Sequence, residues 1–162
     1  LATDQTSGTR VFGNFSGDDL KNPLRRSGLL FSHCHQAFSA GKNKVGLTDD
    51  GILTAEEVQN LHLDKTELVV MSACETGLGE VKNGEGVYGL QRAFQTAGAK
   101  YVLMSLWKVS DQSTQELMTS FYSEWFKLKD RRKAFRQAQL NLRAKYPEPY
   151  YWGAFVLVGA AD

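Results

Sequence analysis

The sequence predicts an α/β domain, with helices layered on the faces of a sheet that has a parallel pair at its centre. Three observations lead there. Short apolar runs rich in Val and Leu occur at 28–32, 67–73, 99–107 and 153–159. Segments with helical apolar spacing lie between and beyond them. Glycine-containing loops join the two kinds of segment, the punctuation of a layered α/β chain.

In chain order, Leu1-Ala2-Thr3 reads as the tail of a strand whose earlier residues are missing, so the chain looks like a piece of something longer. Residues 4–22 are polar and punctuated by Gly8, Gly13 and Gly17, and read as a loop; residues 39–50 read as another. Between them Gly28-Leu29-Leu30-Phe31-Ser32 forms a short strand, followed by His33-Cys34-His35. Asp49-Asp50-Gly51 is a turn signal. Thr54-Ala55-Glu56-Glu57 fits a capping box, with Thr54 as N-cap and Glu57 three positions later, and starts a first helix with Val58 and Leu61 on its apolar side. The run Glu67–Ala73 is read as the central strand, buried on both faces as in parallel sheets. Gly84-Glu85-Gly86 opens a second helix, whose stripe is Val87, Leu90, Ala93, Phe94 and Ala97, and Gly98 ends it. Ala99–Trp107 is a further buried strand, which makes residues 67–107 a β-loop-α-β unit with a right-handed crossover. A third helix runs from about Ser110 to Lys127 with Leu117, Phe121 and Trp125 at i, i+4 and i+8. A fourth begins at Asp130-Arg131-Arg132-Lys133 and buries Ala134, Ala138 and Leu142. Pro147-Glu148-Pro149 stops it, and Gly153–Gly159 is the last strand.

Composition narrows the function. The 162 residues are 42% hydrophobic and carry a net charge of +1, so one domain with a sizeable core is expected and nucleic acid has no electrostatic footprint. No run of 18 apolar residues occurs, so no membrane span is expected, and neither is a signal peptide. The two cysteines, Cys34 and Cys74, do not make a disulfide framework, and a reducing, cytoplasmic setting is expected.

The chemistry centres on Cys74. The strand Glu67–Ala73 ends there and Glu75-Thr76-Gly77-Leu78-Gly79 follows. Ligands and reacting groups in α/β sheets gather at the carboxyl ends of strands. A thiol so placed is a candidate nucleophile, and the blander reading is a small buried side chain. Nucleophilic attack needs thiolate, and the transition state needs amide donors, for which Cys74 itself and the loop from Gly77 to Gly79 are candidates. Among the histidines, His62 reads as a surface residue, while His33 or His35 is placed at a strand end from which it could face Cys74. A zinc site at His33-Cys34-His35 lacks a second ligand pair at a usual spacing. The glycines do not match a dinucleotide or P-loop spacing, and Glu75, Glu80 and Glu85 would repel a phosphate. Asp111, past another strand end, is a candidate pocket residue for a basic substrate side chain, with Ser110 or Asp111 capping the third helix as the plainer role.

These residues carry a family resemblance. Asp50-Gly51-Ile52-Leu53-Thr54-Ala55-Glu56-Glu57, Ser72-Ala73-Cys74-Glu75-Thr76-Gly77-Leu78-Gly79, Gly84-Glu85-Gly86-Val87, Gly89-Leu90-Gln91-Arg92-Ala93-Phe94, Ser105-Leu106-Trp107-Lys108-Val109 and Pro149-Tyr150-Tyr151-Trp152-Gly153-Ala154-Phe155 resemble the CHAT domain. The resemblance covers nearly the whole chain from Pro23 onward. It implies a caspase- and separase-like, mostly parallel sheet with helices on both faces, here the C-terminal portion of a single domain over 1–162 with its N-terminal strands missing. It further implies Cys74 as the nucleophile of a cysteine endopeptidase acting on a protein or peptide. Substrate-side roles for Gly77 and Asp111, no metal or organic cofactor, and a tetratricopeptide-repeat region in the full-length protein complete the expectation. One departure stands out. The family's His-x-Ala-Thr-His-Gly motif is met only by Leu1-Ala2-Thr3-Asp4-Gln5, with Asp4 where the base belongs. An anionic Asp near a thiol would raise the thiol pKa rather than lower it. A catalytically inactive module with a scaffold or regulatory role is the alternative that this substitution suggests.

Overall fold

The computed structural model describes residues 23–25, 27–32, 51–72, 85–108 and 110–159. The predicted loops 4–22 and 39–50 lie outside them. The α/β class is borne out: helices alternate with the strands of a mixed sheet. The chain forms two compact units, one drawn from Leu1–Leu61 and Thr76–Ala97, the other from His62–Glu75 and Gly98–Asp162.

In the first unit, β1 (Gly28–Leu30) pairs antiparallel with β2 (Ile52–Thr54), Gly28 facing Thr54 and Leu30 facing Ile52. The strand β2 lies between the predicted Gly51 turn and the predicted helix start, where the sequence shows no strand signal, because three residues are too few to show a period. Gly51 does hold the left-handed backbone (φ 72°) that the turn required. Thr54 then caps α1 (Ala55–Val58) with both halves of the predicted box: the Glu57 amide donates to Thr54 Oγ1, and the Thr54 amide donates to the Glu57 carboxylate at 2.7 Å. A single 3-10 turn at Pro23–Arg25 brings Arg25 to Glu56 (2.5 Å). The helix α2 (Glu85–Thr96) buries Leu90, Ala93 and Phe94, with Ala97 just past its end, as its spacing predicted.

In the second unit, β3 (Val69–Met71) runs parallel to β4 (Tyr101–Ser105), and β4 runs antiparallel to β5 (Phe155–Gly159). The strand order β3-β4-β5 puts β4 in the middle. Every residue of β4 is buried, whereas Val70 of β3 is 38% exposed. The fully buried strand is therefore β4 and not the run at 67–73, because β4 alone has a neighbour on each side among the described residues. Gly98, with φ 106°, ends the second helical segment as predicted.

The helices α3 (Asp111–Leu128) and α4 (Arg131–Lys145) form an antiparallel hairpin. Glu116 meets Lys145 (2.7 Å), Ser120 meets Asn141 (3.1 Å) and the Phe121 ring sits edge-on to Phe135 (5.8 Å). Leu117, Phe121, Ala134, Phe135, Ala138 and Leu142 pack with Leu103 of β4 and Phe155 of β5 into one core. By strand alternation Val102 and Met104 face the other side, and both are buried too. At the other end of the hairpin the Arg131 guanidinium lies over Trp125 (4.8 Å) and Tyr101 (5.2 Å), and its fork donates to the Glu67 carboxylate, which also accepts from Lys100.

These ties have a pH signature. The hydrogen bond from Lys100, joined by Arg131, holds the Glu67 carboxyl below its ordinary 4.5. The bond from Lys145 does the same for Glu116, and the Lys133 amide does so for Asp130. Folded values below unfolded ones mean stabilisation that is present above the ordinary carboxylate pKa and is lost as the pH falls through the lower, folded value. Lys145 is raised above 10.5, chiefly by Glu116, so its share is present below 10.5 and fades as pH climbs through the higher folded value. Melting temperatures should thus be level near neutrality and drop in acid, and Glu116→Gln should shallow that drop. A melting curve series with no acid limb, or an unchanged limb in the variant, would contradict this.

Candidate functional site: the carboxyl edge of the parallel pair

The register of β3 and β4 aligns Val69 with Val102 and Met71 with Met104, so both strands leave the sheet at one edge. Two segments matter there. After Met71 comes Ser72, the last described residue before Ala73-Cys74. Cys74 and Gly77, like His33, Cys34 and His35, lie outside the described residues. After β4 the chain runs through Leu106, Trp107 and Lys108 to Ser110 and α3.

Ser110 is the N-cap of α3: its Oγ accepts from the Ser113 amide (3.3 Å), and Ser113 Oγ donates back to the Ser110 carbonyl (3.0 Å). The helix cap therefore belongs to Ser110. Asp111 sits in the first turn with an exposed side chain, which leaves its carboxylate open to solvent at this edge. A carboxylate in a first helical turn is also favoured by the helix dipole. His62 is exposed, as predicted.

The residues that shape this edge most definitely were not singled out from sequence. The Leu106 amide donates to the Ala154 carbonyl (2.7 Å), which carries the β4–β5 ladder one residue further. Trp107 Nε1 donates to the Tyr150 carbonyl (3.0 Å), and the Tyr150 hydroxyl donates to the Lys108 carbonyl (2.6 Å). Tyr150 belongs to α5 (Pro149–Trp152), a single turn with proline at its first position. Gly153 closes that turn by donating to the Pro149 carbonyl (2.8 Å). The segment after β4 is thus clasped reciprocally by the turn before β5. No local sequence pattern announces this clasp, since the Trp107 and Tyr150 rings are both exposed enough for water to serve their polar atoms.

No group of three or more His, Cys, Asp or Glu among the described residues is arranged to hold a metal ion. An open groove of about 580 Å³ along one side of α3, lined by Gln112, Gln115, Glu116, Thr119, Ser120 and Ser123, holds no cysteine and no histidine, and its one carboxylate is engaged by Lys145. The edge beside β3 and β4 is the better candidate.

Comparison with known proteins decides the family. The CHAT domain model matches residues 4–160. The chain belongs to the CHAT family. Tetratricopeptide repeat protein 28 of Homo sapiens is 32% identical to this CHAT domain over 111 residues, which is 67% of the chain and 4% of that protein. Tetratricopeptide repeat protein 28 of Mus musculus is 30% identical over a stretch of the same extent. The CHAT chain thus spans a small fraction of the length of these relatives, which are named as tetratricopeptide repeat proteins. Among the described residues no helix of the CHAT domain is long and apolar enough to cross a membrane.

Proposed function

We propose that this CHAT domain is a caspase-like cysteine endopeptidase module that hydrolyses a peptide bond through Cys74. One observation supports the reading: β3, paired in parallel, ends at the edge where α/β sheets assemble their chemistry, and Cys74 follows three residues later in the sequence. In this reading the Cys74 thiolate adds to the scissile carbonyl, and amides of Cys74 and the loop through Gly77 take the oxyanion. The amine then leaves with a proton, and water hydrolyses the thioester. Asp111, open to solvent beside the same edge, is the substrate-side carboxylate for a basic residue. The module acts in the cytoplasm, behind the tetratricopeptide repeats of the longer protein.

The second reading is an inactive CHAT module that serves as a scaffold or regulatory interaction domain. Asp4 favours it, since a carboxylate titrates far below a thiol and cannot hold the proton that a base of the dyad must accept. The two separate on thiol reactivity. In the peptidase reading Cys74 reacts with a small alkylating electrophile near neutral pH at least about tenfold faster than an unassisted thiol of ordinary pKa. That labelling disappears in Cys74→Ala. A Cys74 no faster than an ordinary exposed cysteine leaves the scaffold.

A further inference from the structure

We propose that Tyr150 is a positioning residue, which acts through the Lys108 carbonyl and the Trp107 indole to fix the segment after β4 as a rigid wall of the peptide cleft. The proposal deepens the peptidase reading and rests on it.

Three anchors from the β5 side converge on three successive residues. Leu106 is held through its amide, Trp107 through its indole N–H and Lys108 through its carbonyl. Tyr150 supplies two of the three partners, one from its backbone and one from its hydroxyl. Neither ring is a core filler: Trp107 is 38% and Tyr150 49% exposed. The core of this unit is built without them, from α3, α4, β4 and β5. The clasp therefore orders a surface segment, and ordering a surface segment costs conformational entropy that the core does not need spent. The return on that cost is a defined edge beside β3. A ligand that docks on a preordered edge does not have to order it.

Gly153 and Pro149 fit this role. A methyl group at Gly153 would meet the Pro149 carbonyl oxygen at 2.9 Å, within the turn that carries Tyr150, and Trp107 Cη2 lies at 3.8 Å from the same point. The proline fixes the first backbone angle of that turn. The turn is stiff on its own account, so the hydroxyl of Tyr150 is presented to the Lys108 carbonyl rather than searching for it.

Tyr150→Phe in the intact protein removes the hydroxyl and keeps the ring and the backbone carbonyl. Two measurements test the proposal. Hydrogen exchange at the amides of 106–108 and 110–111 should quicken about tenfold in the variant, with the melting temperature little changed. Labelling of Cys74 should then be followed with two probes: iodoacetamide, which needs no peptide wall, and a mixture of tetrapeptide acyloxymethyl ketones varied at the residue beside the warhead. The variant should react several-fold more slowly with the peptide mixture and at an unchanged rate with iodoacetamide. Unchanged exchange in this segment overturns the proposal, as does equal slowing with both probes or no slowing with either. If Cys74 of the natural protein ignores the peptide mixture, the peptidase reading fails by itself. Exchange then decides the clasp: faster in the variant supports it, and unchanged removes it.

Discussion

Truncation of Phe121 to alanine should lower stability by about 3–5 kcal/mol, the usual cost of emptying a buried phenylalanine site. The ring has no exposed surface, stacks near Trp125 at 5.7 Å between centroids and meets Phe135 edge-on at 5.8 Å. It also sits where α3, α4 and the sheet come together, so no single element can relax into the space. For a protein of this size the loss corresponds to a fall in melting temperature of roughly 6–20 °C. Calorimetry or a circular dichroism melt would read it directly. A shift below about 2 °C would mean that the hairpin collapses to fill the hole, and that the core is far more plastic than its contacts imply.

Gly159→Ala should be nearly as damaging, by about 3 kcal/mol, for a different reason. Gly159 faces Tyr101 in the β4–β5 ladder. An added methyl group would lie 2.4 Å from the Lys100 carbonyl oxygen and 2.5 Å from the Tyr101 ring. The Lys100 carbonyl, in the peptide that leads into β4, is backbone and cannot rotate aside, and the Tyr101 ring is pinned beneath the guanidinium of Arg131. The strand must therefore separate locally, which also strains the bond from Arg132 to the Gly159 carbonyl (2.6 Å). A thermal melt of the variant tests this. Unaltered stability would show that the end of β5 is not held against β4 in solution.

The way these elements could be read from sequence differs from case to case. The stripes Leu117-Phe121 and Ala134-Ala138-Leu142 were legible because the period of a long helix repeats several times within it, and the burial follows the spacing. The Thr54 start was legible because capping needs particular side chains, and its side chain accepts the expected amide; the fourth helix starts at Asp130 as predicted, and the structure adds that Asp130 caps it by accepting from the Lys133 amide. A strand of three residues offers no such redundancy, and so β2 went unseen. Relative burial of β3 and β4 was not legible either, since both are Val- and Leu-rich and only pairing decides which strand has two neighbours. Of the candidate site, Cys74 and Gly77 were chosen on residue type and place in the chain, and both lie outside the described residues. Asp111 was rightly set beside a strand end, while the cap itself proved to be Ser110. The Trp107–Tyr150 clasp joins residues 43 apart, and no local pattern encodes a bond from an indole to a distant carbonyl.

The pairing of Val69 with Val102 also bears on how the molecule is made. During synthesis β3 leaves the ribosome more than thirty residues before its parallel partner exists. Parallel pairing cannot be made by a tight hairpin, so the backbone groups of β3 that face β4 wait unclaimed. β4 waits longer still, because it receives its second described neighbour only when β5 has been translated. A nascent chain stalled before Phe155 would hold a half-covered β4, an invitation to chaperones or to aggregation that the finished ladder withdraws.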